Sequence, residues 1–584
     1  MDQKVPHSDD AQQWRPSYHI TAPRGWLNDP CGLGYDSATG LYHLSFQWNP
    51  KGNDWGNISW GCCVSTDLLT WKIFPEPCLE PSTEYDRCGV FTGCLQPTAV
   101  NGAPNALTVV YTSVGHLLIH YTLPYVPGSE SVSLATSQDQ GKTWQRLDCN
   151  PVLLRPPTTL TVTGWRDPFI GRWQIMPEQP GASDLCGFIS GGITGKTPTA
   201  FAYSINPHDL RQWTYLGPLV HVGLNFRPSR WSGDLEVNWE VVNWVPMTDD
   251  ESTTRYFILM GAEGCLVSGK YGKRIPRAQL WMSIKPCSRA QQHSATDALS
   301  TYAFSGIFDH GCCYAANSFW DPITAQHIVY CWITEEDLPD DLRHQQDWSG
   351  ILSIPRVAKL TTLHHVRRAR HSELSAITSI ETQRETKHTS TVRTLGIRPD
   401  PRLEGLRNEK NRIHVDSLTL EKHGDYTSPF DTHLSLMTSR WEVHAEFSVS
   451  TQCSAVGLEI QHGGNAQHRT ILFWEPSSET FTIQRPPPHD SRINHDPESA
   501  PHTLFTFETL SGEQGEETLR IHAFWDTSVL EVFVNERTVI STRIYILPDQ
   551  ARCSGLRFFA EGETGSPPAV LLQADGWDGL GVSQ

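Results

Sequence analysis

Apolar residues in this chain come in short runs closed by turn formers, not in the rhythm of amphipathic helices. Between about residues 15 and 365, runs rich in Val, Ile, Leu, Tyr and Phe recur, for example over 41–46, 107–112, 132–136, 256–260 and 327–333, each with Gly, Pro, Asn or Asp close by. Such runs predict strands. Strand after strand, with no long helical stretch between, predicts an all-β sandwich, barrel or propeller over a first domain, 1–365. No repeat of fixed period is visible, so the pattern alone does not choose among these. After 365 the pattern thins. Residues 364–394 are rich in Arg, His, Thr and Ser, and 395–431 are polar with scattered Leu. The stretch 366–430 therefore reads as a connector holding one helix and one strand. Alternation returns over 441–449 and 530–545, where Asn535-Glu536 reads as a hairpin turn. A C-terminal antiparallel sandwich over 431–584 fits.

Composition narrows the function classes. The chain has 584 residues, ample for a large core, and charged residues make up 19 %. A net charge of -18 argues against nucleic acid as a partner, because phosphate backbones would be repelled. No apolar run approaches the ~18 residues of a membrane span. The 21 Trp suit a carbohydrate protein as well as they suit β cores. The count of 15 Cys is odd, and no CxxC occurs, so a zinc site of the usual spacing is not expected. The polar N-terminus carries no apolar core of a leader peptide, which points to a cytoplasmic protein with reduced thiols.

Three places put a carboxylate in a rigid, aromatic setting. In Gly25-Trp26-Leu27-Asn28-Asp29-Pro30, the proline holds Asp29 extended. Gly164-Trp165-Arg166-Asp167-Pro168-Phe169 repeats the device with a guanidinium alongside. In Asn238-Trp239-Glu240-Val241-Val242-Asn243-Trp244, an apolar run should desolvate Glu240 and raise its pKa, as a general acid requires. Asp234 and Glu236 are rivals for that role. Read singly, the first two are equally Asp-Pro turns and the third a strand with a solvent-facing Glu.

Together, in this order and spacing, they resemble glycoside hydrolase family 32, the invertases and fructosyltransferases. Other stretches add to the likeness: Phe46-Gln47-Trp48-Asn49-Pro50, Trp55-Gly56-Asn57, Trp60-Gly61, Ser65-Thr66-Asp67-Leu68-Leu69-Thr70-Trp71, Phe91-Thr92-Gly93-Cys94, Asp309 through Ala315, Trp348 through Arg356, and Val532-Phe533-Val534-Asn535. Tyr111 through Val114, Ile119-His120-Tyr121 and Gly128-Ser129-Glu130 look most like fungal enzymes that make fructo-oligosaccharides, whereas Gln47 and the Trp-Gly stretch look like ordinary invertases.

The resemblance implies a five-bladed β-propeller followed by a β-sandwich. It implies a retaining β-fructofuranosidase acting on sucrose and fructo-oligosaccharides, with Asp29 as nucleophile, Glu240 as acid/base and Asp167 as transition-state stabiliser. Asn28, Gln47, Trp55, Phe91, Thr92 and Arg166 would line the fructose pocket, with Glu263 and His120 as further candidates. Neither metal nor organic cofactor is implied, and a homodimer through the sandwich is left open. An inulin- or levan-degrading exo-fructanase and a non-catalytic sugar-binding relative are the competing readings. The chain departs from the family pattern at Cys31, Cys62, Cys94 and Val241, and none of these removes a carboxylate.

Overall fold

The computed structural model describes residues 13–581 apart from 105, 174–183, 266–273, 288–293, 295, 421–432, 464–467, 509–511, 548–552 and 564–565. The N-terminal residues read above for a leader lie outside the described set. The architecture is the expected one, a five-bladed β-propeller followed by a β-sandwich. Five sheets form the blades. Their inner strands are Gly25–Asp36, Gly89–Gln96, Val162–Arg172, Asn238–Thr248 and Cys313–Asp321, and each adjoins the next around a closed ring. Closure leaves these strands without exposed faces. They read as near-continuous buried runs, such as Gly89–Gln96 in blade two, buried in all but its last residue. The ring is tied where Gly25 and Trp26 pair in parallel with Trp348 and Ser349.

The connector is the main correction to the sequence reading. The boundary at 365 falls inside a long strand, Arg356–Ala369, and Ser390–Pro399 and Glu381–Arg384 extend the same sheet outward from it. Among the described residues of this stretch no α-helix forms; short 3-10 turns occur at Leu374–Ala376 and Pro401–Leu406. The outer strand Glu381–Arg384 is largely exposed, so it lacks the apolar residues that announce a strand in sequence.

The sandwich stacks a seven-stranded on a six-stranded sheet. In Arg440–Val449 the alternation seen in sequence buries Trp441, Val443, Ala445, Phe447 and Val449. Asn535 and Glu536 form the expected turn between Val529–Val534 and Thr538–Arg543, with φ of 48° and 54°. Both angles lie in the left-handed region that a tight antiparallel turn needs. A second correction concerns the thiols: Cys62 and Cys78 are joined in a disulfide. Among the described residues, no helix is long and apolar enough to cross a membrane.

Candidate active site

All five inner strands are irregular at one level of the ring. Pairing register shifts between Leu27 and Pro30, between Phe91 and Gly93, beside Arg166–Phe169, between Glu240 and Asn243, and between Tyr314 and Asn317. Such bulges turn a side chain out of the alternating pattern. Asp167, Val241 and Ala315 adopt φ of 59°, 47° and 51° at these points. Non-glycine residues seldom accept this conformation, and it concentrates at functional sites. The result is a cleft of about 260 Å³ whose wall includes Asp29, Asp167 and Glu240.

Each carboxylate is held differently. Asp29 accepts hydrogen bonds from the Thr92 hydroxyl at 2.6 Å, the Asn28 amide at 3.1 Å and the Gln47 amide at 3.2 Å. The Asn28 amide also donates to Gln47 Oε1, and the Trp26 indole donates to Asn28 Oδ1. Asp167 accepts the Val241 backbone N–H at 3.1 Å, and its own N–H donates to Thr112 Oγ1 at 2.7 Å. Glu240 Oε1 accepts both Arg166 Nε at 3.0 Å and Nη2 at 2.8 Å, and Oε2 accepts the Tyr314 hydroxyl at 2.8 Å. The opposite edge of the Arg166 guanidinium donates to Glu130 at 2.8 Å. Arg166 thus braces blade two against blade four.

The electrostatics overturn one expectation. Burial does push the Glu240 carboxyl up, but the Arg166 guanidinium and the Tyr314 hydroxyl outweigh it and leave the group below its ordinary value. The raised groups are its neighbours. Burial lifts Asp29 to about 6, against the hydrogen bond from Thr92. Burial and the nearby Glu240 charge lift Glu263 to about 7. Asp167 stands well above the usual range, through burial first and then the Glu240 and Asp29 charges. Protons in this site belong to a coupled set of carboxyls rather than to one residue.

Of the residues singled out from sequence, Asn28, Asp29, Gln47, Trp55, Phe91, His120, Arg166, Asp167, Glu240 and Glu263 share the cleft. Thr92 is placed differently: it is buried behind Asp29 and acts on the carboxylate, not on the cleft wall. The rivals fall away, since Asp234 pairs with Arg227 at 2.9 Å and Glu236 is wholly buried, and neither lines the cleft. Sequence reasoning missed Arg277, Tyr314, Trp332 and Glu336 on the wall, and Glu130 beneath Arg166. Tyr314 and Glu130 stood in stretches noted for their likeness to the family, which was the available signal. Arg277 and Glu336 lie in no such stretch. Among the described residues, no group of His, Cys, Asp and Glu is arranged to hold a metal.

Comparison with known proteins bears on the family and the fold. The Glycosyl hydrolases family 32 N-terminal domain matches residues 19–369, and the Glycosyl hydrolases family 32 C terminal domain matches 402–577. A β-fructofuranosidase, insoluble isoenzyme 2, of Oryza sativa subsp. indica is 28% identical over 360 residues, which is 60% of this chain and 54% of the rice protein. The chain thus spans about half the length of the plant relatives it matches. Among solved structures, a β-fructofuranosidase of Aspergillus kawachii superposes with a TM-score of 0.83 at 24% identity, covering 99% of this chain and 96% of that one. A fructosyltransferase of A. japonicus gives 0.81 at 23%, covering 100% and 99%. These structural likenesses carry the fold, and the two domain matches carry the kinship: the chain belongs to glycoside hydrolase family 32.

Proposed function

We propose that the chain is a retaining β-fructofuranosidase that cleaves sucrose and related fructosides and passes the fructosyl group to water or to a sugar. The observation that carries this reading is the meeting of Asp29, Asp167 and Glu240 in one cleft. Glycoside cleavage with retention needs one carboxylate as nucleophile and one as acid/base. Asp29 is fixed by three donors, which orient it for attack on the anomeric carbon. Glu240 delivers a proton to the glycosidic oxygen as the bond breaks. Its proton is disfavoured in the free site by Arg166, so the productive form is a minor one that substrate binding must favour, with Asp29 ionised and Glu240 protonated. Glucose leaves, a fructosyl ester on Asp29 remains, and Glu240 then takes a proton from water or a sugar hydroxyl. Asp167, adjoining both groups, would hold fructosyl hydroxyls.

Incubation with sucrose at low and high concentration, followed by separation of products, tests the reading. Glucose and fructose in equal amounts mean hydrolysis; excess glucose with a trisaccharide means transfer. Failure to release glucose or fructose from any fructoside would overturn the proposal. Asp29→Ala should lower turnover by about 10³-fold or more, as loss of a nucleophile does, and near-normal turnover would remove Asp29 from that role.

A further inference from the structure

Arg166 meets two demands that conflict. Its Nε and Nη2 donate to Glu240 Oε1 at 3.0 and 2.8 Å, which fixes the carboxyl in the cleft. The same positive charge favours the ionised form of Glu240, which has no proton to give. A further carboxylate bears on this conflict. Glu130 opens the strand Glu130–Ser137 and accepts Arg166 Nη1 at 2.8 Å on Oε1 and the Trp165 backbone N–H at 2.9 Å on Oε2. Its side chain is wholly buried, and it stands behind Arg166 rather than on the cleft wall. A charge buried there is little screened by salt, so it offsets part of the guanidinium field at Glu240. The other groups that act on Glu240 come from other strands. Tyr314 donates to Oε2, and Arg277 lies over the Tyr314 ring. Asp29, Asp167 and Glu263 are like charges nearby, and Glu263 stands 3.6 Å from Arg166 Nη2. Tyr125 is a further titratable group beside Glu130.

We propose that Glu130 is a positioning residue for proton donation: by sharing Arg166, it lets the guanidinium hold Glu240 in place while weakening its hold on the carboxylate charge. The inference rests on the β-fructofuranosidase reading above, with Glu240 as acid/base. Without the Glu130 charge, Arg166 acts on Glu240 undiminished, and Glu240 becomes harder to protonate. A purely structural part has the opposite sign. If Glu130 only kept Arg166 in position, its loss would let the guanidinium leave Glu240, and Glu240 would become easier to protonate.

The test compares the full chain with its Glu130→Gln variant on two substrates. Sucrose has a leaving group that needs a proton; p-nitrophenyl β-fructofuranoside has a phenolate that leaves without one. In Glu130→Gln, kcat/KM should fall by about three- to tenfold on sucrose and by less on the aryl fructoside, because only sucrose depends on the acid. The limb of the sucrose pH profile that reports Glu240 should move by about one unit toward lower pH. Glu130→Asp keeps the charge and should leave that limb at its wild-type position. Glutamine cannot accept from both donors that meet the carboxylate, so folding is checked by melting temperature. If that variant does not fold, Glu130→Ala, which admits water to the two donors, removes the same charge and is read in its place. A limb that stays put or moves to higher pH in the neutral variant overturns the inference. So do equal losses on the two substrates, or an equal shift in Glu130→Asp; in each case the β-fructofuranosidase reading stands. Wild-type protein that cleaves neither substrate overturns both.

Discussion

Tyr314 donates its hydroxyl to Glu240 Oε2 at 2.8 Å, a bond that favours the ionised carboxylate. Removing the donor must therefore raise the pKa of Glu240. As the general acid, Glu240 works while protonated, so in Tyr314→Phe the alkaline limb of the kcat/KM profile should move to higher pH. A limb that stays put or moves down would show that Glu240 is not the acid. Asp29 and Asp167 were legible as candidates because proline follows each and aromatic residues stand near. Glu240 was legible as a position but not in its charge. The partners that depress it, Arg166 and Tyr314, each lie 74 residues away in sequence.

At the level of elements, the bulges explain why strand patterns located the blades but not the cleft. Alternation tells which residues face a core. A bulge breaks alternation over two or three residues, a disturbance too brief to separate from ordinary sequence noise. The turn at Asn535 is the opposite case, because asparagine's acceptance of the left-handed backbone is a local property, with side-chain bonds to another segment added on folding. Its side chain accepts the Arg520 N–H at 3.1 Å and donates to the Thr518 carbonyl at 2.8 Å and to Glu517 at 3.1 Å. Asn535→Ala removes these bonds and disfavours the left-handed backbone. It should cost about 1–3 kcal/mol in unfolding free energy, read by urea denaturation. A change within about 0.5 kcal/mol, the range of neutral surface substitutions, would show that the turn does not depend on this side chain.

On the scale of the whole molecule, buried ions join the two domains. Arg356 reaches Asp309 in the propeller at 2.9 Å and Glu531 in the sandwich at 2.5 Å. His19, near the start of the propeller, lies between Asp526 and Glu531 of the sandwich at 2.9 and 3.0 Å. Burial disfavours its charged form, but the hydrogen bonds and charges of the two carboxylates overcome this and raise it from 6.5 to about 9. A pKa raised on folding contributes stability that is complete below the unfolded value and lost as pH climbs through the folded one. The contribution of His19, on the order of 3 kcal/mol, should thus be full below about pH 6.5 and fade toward pH 9. Melting temperature followed across that window should fall more steeply in the wild type than in His19→Gln. Equal slopes would exclude His19 as the source.

The sequence by itself determined the β class, the strand runs, the sandwich turn and, through three motifs read together, the carboxylates worth testing. Each of these is written in neighbouring residues, where backbone preference and side-chain alternation act. Tertiary structure alone decided that residues 381–399 complete a blade, that Thr92 serves Asp29 from behind, and that Arg277 and Glu336 face the cleft. It also decided that Glu240 is held ionised in the free site. Those outcomes depend on burial and on charges brought within a few ångströms by ring closure, and neither quantity exists until strands far apart in the chain have packed.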